Sequence, residues 1–297
     1  MTNNSIVANF AQGRSAGAAE PLEVVPLALK GATSPLVVFR PAAASGPPVV
    51  LLHGIASHPG WFEASAGALA AAGHAVYSVT RRGSGTNVDA RGHARSVGQL
   101  LDDLDRAVDA AVADSGRERV ALAGISWGGK YAACWALDPR RAGRLAALAL
   151  VAPGVVPRVT LPPDLRLAIA ACAVVLPRQR FPIPLNDPAL FTDTPERRQF
   201  IADDPHRLTA ATARFLAVSR LMDRRLARAP AGAIETPTTL LLADRDRIID
   251  NRATQTSLQR LTGGLLRTCT LAGAHTLEFE PDPTAYFAAL VAAVQTP

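Results

Sequence analysis

The chain has 297 residues, is 48% hydrophobic and 5% aromatic, and carries a formal net charge of +6 from 31 Lys plus Arg against 25 Asp plus Glu. That hydrophobic share excludes an intrinsically disordered chain, and with so few aromatics Ala, Leu and Val must build most of the core. The length allows one large α/β domain or two ordinary ones, and no basic stretch interleaved with aromatics points to nucleic-acid binding.

In chain order, residues 1–20 read as a flexible N-terminal tail: Met1 to Gly17 is small and polar and lacks the apolar stretch of a secretion signal. Val24–Leu29 and Ser34–Arg40 read as a hairpin turning at Lys30-Gly31-Ala32-Thr33. Pro47-Pro48 introduces an apolar strand, Val49–Leu52; a helix over Trp61–Ala72 and a strand over Ala75–Val79 follow. Ser96-Val97-Gly98-Gln99 has capping-box spacing. It opens a helix with Leu100, Leu101, Leu104, Val108 and Val112 on one face, and Asp102, Asp103, Asp105 and Asp109 mostly on an opposite, solvated one. Further strands are expected at Val120–Ala123, Leu145–Ala152, Thr238–Ala243 and Leu266–Leu271, with helices at Lys130–Leu137, Arg252–Leu261 and from Asp282-Pro283 to Val294. From residue 48 onward strands alternate with helices, the pattern of a parallel sheet.

Residues 154–232 break that alternation. They hold an apolar helix over Leu165–Leu176, the proline-rich run Arg180–Leu185, and helices near 195–202 and 207–228. The stretch carries 12 Arg against 7 Asp plus Glu, most of the excess charge of the chain. Such a balance either solvates helix faces or favours an anionic substrate or lipid surface. No apolar run reaches the length of a membrane span. Cys134, Cys172 and Cys269 are odd in number and have no metal-ligand spacing, so they read as buried, reduced thiols of a cytoplasmic protein.

Chemistry concentrates at four strand ends. Gly124-Ile125-Ser126-Trp127-Gly128-Gly129 follows the apolar Val120–Ala123. It is a G-x-S-x-G turn between strand and helix, which raises a serine hydroxyl clear of its neighbours. Glycine is needed at 124 and 128 because the two backbones are pressed together. A nucleophilic serine needs a base, and the base an orienting acid. The strand Thr238–Ala243 leads into Asp244, Asp246 and Asp250, and the last strand leads into Gly273-Ala274-His275. The chain order Ser, Asp, His and the strand-end positions match a hydrolytic triad on an open sheet. The fourth strand end, His53-Gly54-Ile55, can aim the Ile55 backbone N–H at the same point as that of Trp127, forming an oxyanion hole. Lys130 sits one turn past Ser126, but with His275 present no Ser-Lys pair is required.

These residues carry a resemblance. Leu52-His53-Gly54, Arg82-Gly83-Ser84-Gly85, the Ser126 turn, Asp246-Arg247-Ile248-Ile249 and Gly273-Ala274-His275 span roughly residues 48–280. Together they make the chain similar to α/β-hydrolases of the monoacylglycerol-lipase and lysophospholipase group, also called serine aminopeptidase-like hydrolases. The resemblance implies the α/β-hydrolase fold: a mostly parallel central sheet with flanking helices and a helical cap inserted after the sixth strand. The core would then be residues 21–153 and 233–297, and the cap residues 154–232. It implies Ser126 as nucleophile, Asp246 as acid and His275 as base, with no cofactor and no metal. Thr80 and Ala243 stand where the group usually carries Asp and Gly, which bears on turn geometry and not on the chemistry.

The expected activity is hydrolysis of a small, hydrophobic carboxylic ester, with peripheral membrane contact through the basic cap. The same triad would serve a thioesterase, lactonase, amidase, C–C hydrolase or acyltransferase, and the same fold a ligand-binding protein without catalysis. Oligomeric state is not readable. His58, Trp61 and Trp127 are expected to line the substrate pocket. Leu165–Leu176 is apolar on more than one face, so Val174 and Val175 are expected to roof an acyl site over Ser126.

Overall fold

The computed structural model describes residues 23–29 and 35–295. The expected tail at 1–20 and the hairpin turn at 30–33 lie outside the described residues. The chain runs through β1 (Glu23–Leu27), β2 (Leu36–Arg40), β3 (Val49–Leu52), α1 (Glu63–Ala71), β4 (Val76–Val79) and α2 (Val97–Ser115). Then come β5 (Val120–Ile125), α3 (Trp127–Ala136), the single turn α4 (Pro139–Ala142) and β6 (Leu145–Val151). An insertion carries α5 (Pro163–Val175), β7 (Arg180–Pro182), α6 (Pro195–Asp203), β8 (Ala210–Thr212) and α7 (Ala213–Arg228). β9 (Thr238–Ala243), α8 (Asn251–Thr262), β10 (Leu266–Leu271) and α9 (Thr284–Val294) complete it.

The main sheet has strand order β1-β2-β4-β3-β5-β6-β9-β10. Only the β1–β2 and β2–β4 pairs are antiparallel. Every residue of β3, β5 and β6 is buried, as expected of central parallel strands covered by helices on both faces. This is why those segments read as continuous apolar runs rather than alternating ones. β3 lies between β4 and β5, so the connections diverge beside it and open a crevice at the carboxyl ends of the strands.

Local signals set most helix ends. Ser96 accepts the Gln99 N–H at 3.0 Å, and the Gln99 side chain returns to the Arg95 N–H at 2.8 Å, one residue before the expected partner. Asp250 caps α8 through the Ala253 N–H. At the last helix Asp282 takes the Thr284 N–H, and the helix starts at Thr284 with Pro283 preceding it. Trp61 closes a 3-10 turn, and α1 begins only at Glu63. The acidic face of α2 is more than a solvated surface. Asp103 takes both prongs of Arg82 at 2.7 Å, while Asp105 holds Arg141 and the Trp135 indole, so the helix clamps the Arg82-Gly83 turn and α4.

The insertion differs from expectation in two places. The helix anticipated at 207–228 starts at Ala213, because residues 210–212 pair with β7. α5 packs Leu165, Ile169, Cys172 and Ala173 into a cluster with Ala213, Leu216 and Ala217 of α7, of which Ile169, Ala173 and Ala213 are buried. α7 in turn lays Phe215, Val218, Met222 and Leu226 into the main core, against α3. With α7 in the inner position, the second apolar stripe of α5 faces outward: Leu167, Val174 and Val175 are 71–75% exposed. Among the described residues no helix is long and apolar enough to cross a membrane. All three cysteines are free, but only Cys134 is buried; Cys172 and Cys269 are half-buried.

Candidate active site

β5 delivers its chain directly into α3, with Ser126 alone between them. The turn is so tight that Ser126 takes φ 55° and ψ −121°, a strained conformation for a residue with a β-carbon. Four hydrogen bonds hold it there: the Ser126 N–H to Val151 O, and the Gly129, Lys130 and Gly154 N–H groups to Ser126 O. The glycines are sterically required. A β-carbon on Gly124 would lie 2.5 Å from Gly128 O, and one on Gly128 2.6 Å from Leu52 O.

His275 stands with Nε2 2.9 Å from Ser126 Oγ and Nδ1 2.7 Å from Asp246 Oδ2. The His275 and Asp246 side chains are buried. The other Asp246 oxygen accepts the Ile248 and Ile249 N–H groups at 2.7 and 3.0 Å. Burial alone would raise the Asp246 pKa, but the His275 partner and these two N–H groups outweigh it and hold the carboxyl below its ordinary value. The neighbouring aspartates do other work. Asp244 accepts the Gly273 N–H at 2.8 Å and ties down the loop that carries His275, while Asp250 caps α8. Lys130 points away from the serine and donates to Asp223 and Ser219 of α7 at 2.8 and 2.9 Å.

The His53-Gly54-Ile55 turn lies on the other side of the serine. A β-carbon on Gly54 would be 3.3 Å from Ser126 Cβ. His53 is buried, with Nδ1 2.8 Å from Gly54 O and Nε2 accepting the Arg81 N–H at 3.2 Å. That pairing sets the Nδ1–H tautomer, and burial, aided by the Arg81 charge, drives the His53 pKa well below its ordinary value. The backbone N–H groups of Ile55 and Trp127 donate no hydrogen bond among the described residues. Trp127 opens α3, so its N–H is one of the unspent donors at that helix start.

A cavity beside Ser126 is lined by Gly54, Ile55, Ser57, Trp61, Phe191 and His275 among others. Its volume of about 10 Å³ holds roughly one water molecule. Two larger recesses, of about 250 and 540 Å³, lie elsewhere on the surface and include none of Ser126, Asp246 and His275. Of the three, the small cavity alone adjoins the serine and the histidine.

Of the expected lining residues only Trp61 reaches this cavity, which the oxyanion candidate Ile55 also lines. His58 and the Trp61 indole instead share Asp204 Oδ2, at 3.0 and 2.7 Å, which ties the end of α6 to the turn after β3. The Trp127 side chain turns toward α7, donating to Ser219 and stacking near Phe215. Val174 and Val175 are exposed on the outside of α5 and line nothing near Ser126, because α7 separates that helix from the core. Sequence reasoning missed Phe191, whose ring meets Trp61 and His275 edge-on at 5.5 and 6.1 Å. It also missed Ser57, a buried hydroxyl in the cavity wall with no hydrogen-bond partner among the described residues. Ser57 follows the His53-Gly54 turn closely enough to have been a candidate; nothing in the sequence around Phe191 marks it.

Three residues past His275, Glu278 is buried against the start of α1 and accepts the Ala64 and Ser65 N–H groups. Burial pushes its pKa up to about 7 despite these donors. The folded state then binds this proton more tightly than the unfolded one. Stability should therefore fall by about 1–3 kcal/mol as pH rises from about 4.5 to 7. Urea unfolding across that range should give a flatter pH slope for Glu278→Gln than for the parent protein.

Residues 45–282 match the family described as Serine aminopeptidase, S33. The chain is similar to a monoacylglycerol lipase of Mycolicibacterium smegmatis: 29% identical over 208 residues, covering 68% of this chain and 70% of the relative. Among solved structures it resembles a Paleococcus ferrophilus monoacylglycerol lipase (TM-score 0.72, 21% identity, 92% of this chain and 99% of that one). It also resembles a soluble variant of Saccharomyces cerevisiae monoglyceride lipase (TM-score 0.80, 15% identity, 95% of this chain and 98% of that one). With a mostly parallel sheet and a match over most of its length, the chain belongs to the serine aminopeptidase S33 family and has the α/β-hydrolase fold.

Proposed function

We propose that this protein hydrolyses carboxylic esters through an acyl-enzyme, with monoacylglycerol-like lipids as its substrate class. One observation carries the reading: the unbroken hydrogen-bond chain from Asp246 through His275 to Ser126. Ser126 Oγ attacks the ester carbonyl while His275 Nε2 takes its proton. Ionised Asp246 holds the imidazole in the Nδ1–H tautomer and stabilises the imidazolium that forms. The Ile55 and Trp127 N–H groups receive the oxyanion. His275 then gives its proton to the leaving alcohol, and water repeats the cycle on the acyl group. The substrate class is supported by the monoacylglycerol lipases to which the chain is similar.

In this reading residues 154–232 form a cap. A cavity with room for one water does not admit an ester, so a wall must move. Phe191, contributed by the cap, is that wall. The decisive experiment is a screen of p-nitrophenyl esters and monoacylglycerols over acyl length, with EDTA present. Turnover of esters and labelling of Ser126 by a fluorophosphonate support the reading. Turnover of thioesters or amides alone would move the assignment to another bond.

The outward stripe of Leu167, Val174 and Val175 on an Arg-rich cap suits contact with an anionic lipid surface. The protein should sediment with phosphatidylglycerol vesicles more than with phosphatidylcholine vesicles, and Val174→Asp should weaken that by about tenfold or more. Equal sedimentation of the parent and variant proteins would remove this role. The three free thiols support a cytoplasmic location for the enzyme.

A further inference from the structure

Arg81 and Arg82 are adjacent, yet their surroundings are opposite. Arg82 is half-buried and neutralised by a two-pronged pair with Asp103. Arg81 is buried, and among the described residues no carboxylate pairs with it. Its guanidinium donates to Ile55 O at 3.0 Å, Ser84 Oγ at 2.7 Å and Arg82 O at 3.2 Å. Its Nε has no partner among the described residues. The Trp127 and Phe215 rings cover it, each centroid 4.9 Å from Cζ. Burial lowers its pKa only to about 10, so it stays cationic at neutral pH. A buried charge with no counter-ion is costly to a fold, and its retention calls for a use.

The contacts indicate the use. Arg81 touches both residues read above as oxyanion donors, bonding the carbonyl of Ile55 and stacking on the ring of Trp127. Its backbone N–H also fixes His53, whose Nδ1–H grips Gly54 O. Gly54 O and Ile55 N–H belong to one peptide unit, so that unit is polarised from behind toward the cavity. We propose that Arg81 is a positioning residue for the oxyanion site: an uncompensated cation that locks Ile55 and Trp127 together and adds positive potential where the carbonyl oxygen becomes negative. A preorganised charge of this kind favours the transition state over the neutral ester. The inference rests on the triad reading, and its test is separate from that reading's.

The test compares Arg81→Gln, Arg81→Lys and Ser84→Asp in the full chain. The readouts are kcat and KM on p-nitrophenyl butyrate, inhibition by a boronic acid that forms a tetrahedral anion on the serine, and Tm. Arg81→Gln should lose about 10- to 100-fold in kcat with KM nearly unchanged, and boronate affinity should fall by a similar factor. Arg81→Lys keeps the charge and should recover most of kcat. Ser84→Asp gives the guanidinium a carboxylate partner, which should hold or raise Tm while lowering kcat, the reverse of what a purely structural role allows. Equal kcat in the Gln and Lys variants, or full kcat in Ser84→Asp, overturns the proposal; if Arg81→Gln does not fold, Ser84→Asp decides. Failure of the triad reading would appear instead as activity in Ser126→Ala.

Discussion

Replacing Ser126 with alanine is expected to lower kcat by about three orders of magnitude or more and to leave the fold intact. Among the described residues the side chain has one polar contact, to His275 Nε2, so alanine removes the nucleophile and little else. The backbone strain at φ 55° stays, because alanine also carries a β-carbon. Residual rate would come from the oxyanion site and from binding. Ser126→Gly makes a useful companion: it should be equally inactive, yet more stable than Ser126→Ala by up to about 1–3 kcal/mol, since glycine tolerates that backbone conformation. Steady-state kinetics on a p-nitrophenyl ester and thermal unfolding of both variants provide the check. Retained turnover in Ser126→Ala would falsify the nucleophile assignment, and a fluorophosphonate adduct on another serine would do so independently.

The readability of this chain varies with the range of the interaction involved. The Ser126 turn was legible because crossing backbones leave a trace in residue type: Gly124 and Gly128 are where a β-carbon would strike another backbone. The caps at Ser96 and Asp250 were legible because donor and acceptor are three residues apart. The central strands were legible because burial on both faces forces unbroken apolar runs. What failed was long range. Apolar periodicity in α5 correctly predicts two apolar faces, but not which element covers each. α7 takes the inner position, leaving Val174 and Val175 outside. The His58 side chain was expected at the pocket, yet it is directed away by Asp204, more than 140 residues on in sequence, while Trp61 reaches the cavity with its indole N–H on the same carboxylate. Arg81 could not be read as unpaired, since the carboxylate of this turn, Asp103, comes from 21 residues beyond its neighbour Arg82 and pairs with that residue alone of the two.

Asp246→Asn should cost about 10³- to 10⁴-fold in kcat, far more than the same change at Asp244 or Asp250. All three aspartates stand in one loop, and their partners separate them. Asp246 Oδ2 faces His275 Nδ1 at 2.7 Å. An amide can keep the acceptor that holds the Ile248 and Ile249 N–H groups, but it then presents its NH₂ to the imidazole. That favours the tautomer with a proton on Nε2, which cannot accept one from Ser126. Asp244 acts through the Gly273 N–H, which an amide oxygen can still accept. Asp250 is an N-cap, where Asn serves about as well as Asp, so Asp250→Asn should change stability by about 1 kcal/mol or less. The depressed Asp246 carboxyl also fixes a direction in pH. Its contribution to stability is present above its unfolded value of 3.8 and is lost as pH falls through the lower folded value. The Asn variant should therefore lose its stability deficit relative to the parent protein in acid, while its kinetic deficit at neutral pH remains. Kinetics of the three Asn variants at pH 7.5, with unfolding curves taken from about pH 7 down to about pH 3, measure both. If the largest kinetic loss fell at Asp244 or Asp250, the orienting role would pass to that residue and the hydrogen-bond chain through Asp246 would be structural.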